Sequence, residues 1–258
     1  MLKSYGGVTV YDFQKANMWK RISAALCDFI LIAILIVGMA FLLSAVLGYD
    51  GYKTRFDELK DSYVEKYDID LTKNYDSLNE EERAKYDAAN EEFMNDSNAI
   101  YLNGMIVNLN FIIVIFSVLI AYLVLEFIIP LIFKNGQTVG KKIFGIAVMR
   151  VDGVKISPLL LFARTVLGKC TVETLLPMLL LIMVFLGAMG IVGTVVIAGM
   201  LIAQIVLLIV TKARTPIHDV LAHTVTVDYA SQLIFDTPED MIAYKKRIHA
   251  EQVAADKE

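Results

Sequence analysis

An apolar segment from Ile22 to Leu47 constrains the fold of this chain more than any other feature. It contains 26 residues and one charged side chain, Asp28. At about 1.5 Å per residue, a helix of this length exceeds the roughly 30 Å hydrocarbon core of a bilayer. The segment therefore predicts a membrane-spanning helix, with Trp19 as an aromatic residue at the interface.

The carboxylate of Asp28 needs a partner inside this helix. A charged side chain that faces lipid at full depth costs about 2.5 to 3.5 kcal/mol or more, so Asp28 is expected to face protein or water. Arg21 lies seven residues earlier on the same helical face, with Ala24 and Ala25 between them. This stripe of small and charged residues predicts that a second segment approaches the helix closely here.

Composition and charge are typical of a polytopic membrane protein. Of the 258 residues, 57% are hydrophobic, and the mean hydropathy of +0.57 exceeds what one soluble core needs. The net charge of −4 is uneven, because acidic residues predominate only between Tyr49 and Gly104. An acidic block is a poor nucleic-acid surface, and no basic stripe with interleaved aromatic residues occurs elsewhere, so nucleic acid is excluded as a partner.

The cysteines and histidines indicate neither a disulfide framework nor a metal site. Cys27 and Cys170 lie in or beside apolar helices. His218, His223 and His249 lack the HExxH spacing of zinc sites and have no cysteine nearby. We therefore expect no metal and no other cofactor.

Hydropathy and turn signals divide the chain into successive segments. These are 1–18, a cytoplasmic N-terminal lead; 19–47, transmembrane helix 1, an uncleaved anchor; 48–104, an extracytoplasmic acidic helical insert; 105–133, transmembrane helix 2; 134–157, a cytoplasmic loop and β-hairpin; 158–172, an interfacial basic helix; 173–210, transmembrane helices 3 and 4; and 211–258, a cytoplasmic tail. The predicted fold class is an all-α membrane protein, a four-helix transmembrane bundle with a small cytoplasmic β-hairpin and an extracytoplasmic acidic helical insert. The side that carries both termini holds 17 of the 24 Lys and Arg residues, which predicts that the termini are cytoplasmic.

The acidic insert is expected to form two amphipathic helices joined near residues 68–79. Its first apolar stripe consists of Phe56, Leu59, Tyr63 and Tyr67. The second helix opens with a capping-box pattern, Ser77-Leu78-Asn79-Glu80. A solvated acidic helical hairpin is favoured over a ligand-binding module, because charge runs are usually solvated faces.

Another intramembrane carboxylate, Glu126, lies seven residues before the end of the second span. Because this helix returns to the side of Lys134, Glu126 and Asp28 are expected at similar depth. Two carboxylates that share a site are one way to build a proton or cation relay. A structural salt-bridge network with Arg21 or Arg164 is an equal alternative.

The loop from Lys134 to Lys142 lacks the spacing of a nucleotide-binding Walker motif. After it, alternating apolar residues around Asp152-Gly153 predict a hairpin with a type I′ turn. Ser157 and Pro158 are suited to the N-cap and first residue of the next helix, in which Arg164 and Lys169 indicate an interfacial position.

The uncharged segment from Leu175 to Val210 predicts two spans joined at 187–190. In the second of them, four-residue spacing of small residues (Thr194 and Ala198, Gly199 and Ala203) favours close helix contact, and Gln204 adds an interhelical hydrogen bond. The tail then alternates like a strand that pairs with the hairpin, and Thr237-Pro238 begins a last helix.

Several separated stretches resemble the RDD family of membrane proteins, which is named for one arginine and two aspartates. They are Trp19-Lys20-Arg21-Ile22-Ser23-Ala24-Ala25 with Asp28; Thr138-Val139-Gly140-Lys141-Lys142-Ile143-Phe144-Gly145-Ile146 with Val151-Asp152-Gly153; Arg164 in an apolar helix; and His218-Asp219-Val220-Leu221-Ala222-His223-Thr224-Val225. The resemblance matches Arg21, Asp28 and Asp219 to the three family residues, and it suggests a cytoplasmic motif of Gly140, Lys141, Gly145, Asp152, Gly153 and His218. His223 stands where we expect glycine. The resemblance implies an integral membrane protein with transport suggested, and with cation/proton antiport proposed for some members.

Two functions remain open. In the first, the protein transports a cation, a proton or a small solute through its intramembrane or interfacial charges, which are Arg21, Asp28, Glu126, Arg164 and Asp219. In the second, the same charges are structural, and the protein is a non-catalytic membrane scaffold that binds protein partners or copies of itself. An enzyme is not expected, because no nucleophile with a base, metal set or phosphate loop is visible. The predicted location is the plasma (cytoplasmic) membrane, crossed several times.

Overall fold

The computed structural model describes residues 3–5, 8–10, 14, 16–210 and 216–255, so much of the N-terminal lead and the start of the predicted tail lie outside the described part. The helices are α1 (Met18–Leu47), α2 (Tyr49–Lys66), α3 (Glu80–Asn95), α4 (Ser97–Phe133), α5 (Val139–Ile143), α6 (Pro158–Phe185), α7 (Gly190–Val210), α8 (Ile217–Leu221) and α9 (Pro238–Ala255). The strands are β1 (Lys3–Tyr5), β2 (Val8–Val10), β3 (Ile146–Arg150) and β4 (Thr224–Asp228). The chain forms two compact units, one of Met1–Leu35 with Val118–Glu258 and one of Ile36–Ser117.

Four of the described helices are long and apolar enough to cross a membrane. They are α1, α4, α6 and the first 18 residues of α7. This confirms a mostly helical protein with four candidate spans. The second candidate span begins at Ser97 rather than near residue 105, because the Asp96 carboxylate accepts the N–H groups of Asn98 and Ala99 and so fixes the start of α4.

The acidic insert contains the two expected helices, α2 and α3, which pack on each other. The Phe56 and Phe93 rings meet edge to face, with their centroids 5.5 Å apart. The capping box lies two residues later than predicted: Asn79 Oδ1 accepts the N–H of Glu82 at 2.9 Å, and the Glu82 carboxylate accepts the N–H of Asn79 at 3.0 Å. The cap is Asn79 rather than Ser77. An asparagine side chain can accept the third N–H of a helix as a serine side chain does.

The third candidate span, α6, is continuous, so the predicted interfacial helix at 158–172 is not a separate element. Ser157 caps it as expected and accepts the N–H of Leu160 at 3.3 Å. The reason for the difference lies in Arg164 and Lys169, which pair with the carboxylates of Asp219 and Glu126. Because protein groups compensate both cations, neither needs the membrane interface.

The turn at 187–190 joins α6 to α7, but the small residues of α7 do not make the predicted contact. Thr194 and Gly199 are exposed, and a Cβ on Gly199 would meet nothing within 4 Å. The close approach is at Gly193, where a Cβ would lie 2.5 Å from the Val184 side chain. Four-residue spacing indicates that residues share a helical face, not which face meets a neighbour. The side chain of Gln204 lies outside the described part.

Strand β3 pairs with β4, antiparallel, from Ile146 opposite Asp228 to Arg150 opposite Thr224. The predicted pairing of the tail with the earlier strand is therefore confirmed, whereas the hairpin is reduced to one bridge between Met149 and Lys155. Both strands are buried almost throughout, so the β3–β4 ladder is part of the core.

The turn after β3 is not of type I′. Gly153 has a φ of 91°, but Asp152 is not among the described residues with positive φ, and type I′ needs positive φ at both positions. Instead, the Gly153 N–H donates to the Arg150 carbonyl at 3.0 Å, as in a three-residue loop that ends on a left-handed glycine.

His223 ends the link between α8 and β4 with a φ of 50°, in the left-handed region that favours glycine. Its side chain is exposed. His223→Gly should therefore raise the free energy of unfolding by about 0.5–1 kcal/mol, because it relieves backbone strain and loses little packing. Thermal unfolding of the two proteins in the same detergent measures the change, and a clear loss of stability would contradict the strain.

Candidate functional site

A cavity of about 480 Å³ in the first unit collects most of the charged residues that the sequence singles out. It is lined by Ala16, Met18, Arg21, Ile22, Ala24, Ala25, Asp28, Lys141, Ile146, Arg164, Lys169, Pro216, His218, Asp219 and Thr226. These residues belong to, or directly precede, α1, α5, α6, α8, β3 and β4. The lining thus combines charged side chains with apolar ones in segments next to or inside candidate spans.

Asp28 is buried, as its position in an apolar helix requires, and it accepts hydrogen bonds from the N-cap and the first turn of α5. The Gly140 N–H donates to Asp28 Oδ1 at 2.7 Å, and the Thr138 hydroxyl donates to Oδ2 at 2.5 Å. A Cβ on Gly140 would lie 2.3 Å from the Ala24 carbonyl oxygen. The small stripe of α1 therefore does receive a second segment at close range, and only glycine allows this approach.

The same loop positions Lys141. Thr138 is the N-cap of α5, and its oxygen also accepts the Lys141 N–H at 3.3 Å. Lys141 Nζ lies 3.9 Å from Glu126 Oε2, and neither atom makes a hydrogen bond with any described residue. Burial lowers the pKa of Lys141 to about 8, although the negative charge of Glu126 opposes this shift.

Glu126 is 1% exposed and is held by α6. Lys169 Nζ donates to Glu126 Oε1 at 2.5 Å. The Thr165 hydroxyl donates to the backbone carbonyl of Glu126 at 2.9 Å. Helix α4 is π-helical from Leu123 to Ile128, and helix α6 is π-helical from Ala163 to Leu175. The angle between successive side chains therefore differs from that of an α-helix.

Arg164 and Asp219 form the most deeply buried ion pair in the described part of the chain. Arg164 Nε donates to Asp219 Oδ1 at 2.6 Å, and the two side chains are 2% and 1% exposed. The Thr224 hydroxyl donates to the same oxygen at 2.7 Å. Burial alone would raise the pKa of Asp219, but the Arg164 charge holds it well below its usual range. The pair fixes α8 and β4 against α6.

His218 forms a second link between α8 and α6. The backbone N–H of His218 donates to Glu173 Oε1 at 2.9 Å, and the ring Nδ1 lies 2.8 Å from Glu173 Oε2. Gly168 allows the close approach, since a Cβ there would lie 2.6 Å from the His218 Cβ. Burial and the Arg164 cation lower the pKa of His218, so the ring is neutral at pH 7.

The structure brings Arg21, Asp28, Arg164 and Asp219 to one cavity, together with the motif residues Lys141 and His218. Glu126 lies behind this lining, reached through Lys141 and Lys169. Thr138 and Gly140 are thus partners of Asp28 that the sequence does not predict, and Lys141 lies close to Glu126.

The other motif residues shape the backbone. Gly145 has a φ of 65°, and its carbonyl accepts the Tyr229 N–H at 2.9 Å. Asp152 is paired with Arg150 at 2.6 Å on the surface, and Gly153 forms the turn. Sequence reasoning passed over Thr138 and Glu173 as site residues, although a threonine before Val139-Gly140 is a recognisable cap and Glu173 lies four residues after Lys169.

A model of the RDD family matches residues 15–223 of the chain. The chain belongs to the RDD family. No curated protein and no solved structure matches it. In this RDD protein the three residues that the resemblance matches to the family name, Arg21, Asp28 and Asp219, all line the same cavity. The cavity, rather than any single charge, is therefore the candidate functional site.

Proposed function

We propose that this RDD protein transports a small solute across the plasma membrane and that the cavity is its binding site. One observation carries the proposal: a cavity of about 480 Å³ lies among charged groups, of which candidate membrane helices contribute Arg21, Asp28, Arg164 and Lys169. Its volume is in the range of small-molecule sites. Charged residues that face a cavity within membrane segments commonly mark a solute or ion pathway.

The proposal includes an orientation and a role without catalysis. Both termini and the β3–β4 sheet are cytoplasmic and the acidic insert is extracytoplasmic, because the basic residues are concentrated with the termini. The protein acts in the bilayer, without an enzymatic reaction, and a proton or cation accompanies the solute. Copies of the chain or a protein partner assemble with it in the membrane.

A scaffold is the second candidate, and the hydrogen bonding of the aspartates favours it. Asp28 accepts two hydrogen bonds, and Asp219 accepts hydrogen bonds from Arg164 and Thr224. Such compensated charges also serve to hold segments together. The two candidates differ in what a change at the cavity does: a transporter loses flux, whereas a scaffold loses folded protein or partners.

Asp28→Asn should lower solute flux at least about tenfold, because the amide cannot accept from both Thr138 and Gly140 without turning a donor towards one of them. Purified protein is reconstituted in liposomes that contain pyranine. Light scattering and fluorescence then follow the entry of potassium acetate, potassium phosphate or glycerol, and of protons.

Asp57→Asn is the matched control, since the Asp57 side chain is 48% exposed and pairs with Lys53 in the insert. Ala25→Trp is a second test: Ala25 lines the cavity, so the indole fills it without changing any charge. Equal flux in Asp28→Asn, Ala25→Trp and Asp57→Asn would end the transport proposal. Absence of flux in the wild type, with loss of folded Asp28→Asn protein, would favour the scaffold.

A further inference from the structure

We propose that the cavity binds an oxyanion, the phosphate or carboxylate group of an amphipathic ligand, through Lys141, Lys169 and Arg164. This inference deepens the proposed function and rests on it for its biological meaning, because it names the class of solute. It differs from the cation relay that two intramembrane carboxylates predict. The hydrogen bonds that the lining residues already make favour an oxyanion over a cation.

The carboxylates of the lining are already engaged. Each oxygen of Asp28 accepts a hydrogen bond, from Gly140 and from Thr138. In Asp219, Oδ1 accepts hydrogen bonds from Arg164 and Thr224. A cation that entered the cavity would have to compete with these internal donors.

Three cations of the lining, Lys141, Lys169 and Arg164, have N–H groups that are available to a ligand. Lys141 is buried, and its Nζ makes no hydrogen bond with any described residue. Lys169 donates to Glu126, which uses one of the three N–H groups of an ammonium. Arg164 uses Nε for Asp219, and a guanidinium has four further N–H groups. A ligand with several acceptor oxygens satisfies these donors through charge-assisted hydrogen bonds.

The charge of the lining points the same way. Among the described residues of the lining, the cations are Arg21, Lys141, Arg164 and Lys169, and the anions are Asp28 and Asp219. Glu126 and Glu173 lie behind this lining. Glu126 pairs with Lys169, and Glu173 is hydrogen-bonded to His218. The negative charges of these two glutamates offset the repulsion among the cations. The surface that a ligand meets is nevertheless cationic.

The apolar part of the lining indicates what else the ligand carries. Ile22, Ala25, Ile146 and Pro216 lie beside the charged groups. An inorganic ion would leave these side chains in contact with water, whereas an organic anion covers them. Two sources supply this chemistry, a soluble organic anion and the headgroup of an anionic lipid.

Binding to the full-length protein in nanodiscs tests the inference without any flux measurement. The probes are phenyl phosphate and benzoate, titrated calorimetrically into nanodiscs of phosphatidylcholine alone. A second set of nanodiscs contains phosphatidylglycerol. Probe binding in phosphatidylcholine nanodiscs that is unaffected by phosphatidylglycerol identifies a soluble anion. Competition by phosphatidylglycerol, or lipid-dependent thermal stabilisation that needs Lys141, identifies the headgroup.

Lys141→Met should weaken anion binding about tenfold or more, and Lys141→Arg should retain most of it. Lys142→Met is the matched control, because it removes the same charge from the next residue. Lys142 is exposed, with its Nζ 3.7 Å from the centre of the Phe133 ring. Anion binding to Lys142→Met should stay within about twofold of the wild type.

The pH profile of benzoate binding provides a test that needs no variant. The groups that act on Lys141 are Asp28 from α1, Glu126 from α4, and Arg164 and Lys169 from α6. The pKa of Lys141 is about 8, below its ordinary value, so its charge is present at pH 7 and is lost as the pH rises. Benzoate stays charged over this range, so its affinity should fall as the pH rises through about 8.

Equal affinities of Lys141→Met and Lys142→Met, no anion binding in either lipid mixture, or sodium binding that Asp28→Asn abolishes would each overturn the inference. Should Lys141→Met not fold, the Lys141→Arg variant and the pH profile decide the question, and a flat profile counts against it. Anion binding without flux would keep this inference and end the transport proposal. Flux of a cation without anion binding would do the reverse.

Discussion

Asp219→Asn should lower the free energy of unfolding by about 3–5 kcal/mol. The substitution leaves Arg164, which is 2% exposed, as a buried cation without its carboxylate. It also removes the charge that accepts from Thr224. Chemical unfolding in detergent measures the loss, together with the fraction of the protein that is folded in the membrane.

The matched control for this substitution is Asp152→Asn. Asp152 pairs with Arg150 at 2.6 Å, the same distance that separates Arg164 from Asp219, but both side chains of that pair are 36% exposed. An exposed pair contributes at most about 1 kcal/mol, so Asp152→Asn should change the stability little. Equal effects of Asp219→Asn and Asp152→Asn would show that burial does not decide the strength of these pairs.

A double variant distinguishes the net contribution of the ion pair to stability from the stability lost when only one partner is removed. Replacing both residues, as Arg164→Met with Asp219→Leu, leaves no buried charge without a partner and should recover a large part of the stability lost by Asp219→Asn. It should not recover anion binding, because Arg164 is one of the proposed donors. A double variant as unstable as the single one would contradict the ion-pair argument.

The sequence alone predicts what each buried charge needs but not which residue supplies it. Solvation requires a partner for Asp28, and the alanine stripe predicts a close neighbour. One partner is Thr138, 110 residues later in the chain, which is itself the N-cap of a five-residue helix. Nothing local to Asp28 encodes that contact, since hydrogen-bond partners across a fold depend on the packing of whole segments.

The position of Glu126 illustrates a second limit. Counting residues along the span predicts its depth, and the structure shows it close to Lys141 and Lys169, which line the cavity. Its direction does not follow, because the helix is π-helical at this point and the angle per residue differs from that of an α-helix. Glu126 therefore faces Lys169 and Lys141 instead of sharing a site directly with Asp28.

The strands show how burial overrides local pairing. Residues 146–156 have the alternation of a hairpin, and a three-residue turn does form at Gly153. The longer ladder goes to β4, however, where Val225 and Val227 pack with Ala147 and Met149 in a fully buried cluster. Alternation indicates that a strand is present, whereas the choice between two partner strands depends on how much apolar surface each pairing buries.

Gly140→Ala should destabilise the protein by about 3–5 kcal/mol, because a Cβ at this position would lie 2.3 Å from the Ala24 carbonyl oxygen and 2.9 Å from Asp28 Oδ1. The Ala24 carbonyl is part of the α1 backbone and cannot withdraw, so the segment at 138–140 must move away. It then takes with it the Gly140 and Thr138 donors to Asp28. Unfolding in detergent and the fraction of folded protein in the membrane report the loss.

Gly38→Ala, in α1, is the control, since a Cβ at Gly38 would meet nothing within 4 Å. Alanine is the better helix former, so this variant should be unchanged or more stable by up to about 1 kcal/mol. The contrast tests a specific contact rather than a general intolerance of substitution. A Gly140→Ala protein as stable as Gly38→Ala would mean that the loop does not approach α1 as closely as the structure has it, and Asp28 would then need another partner.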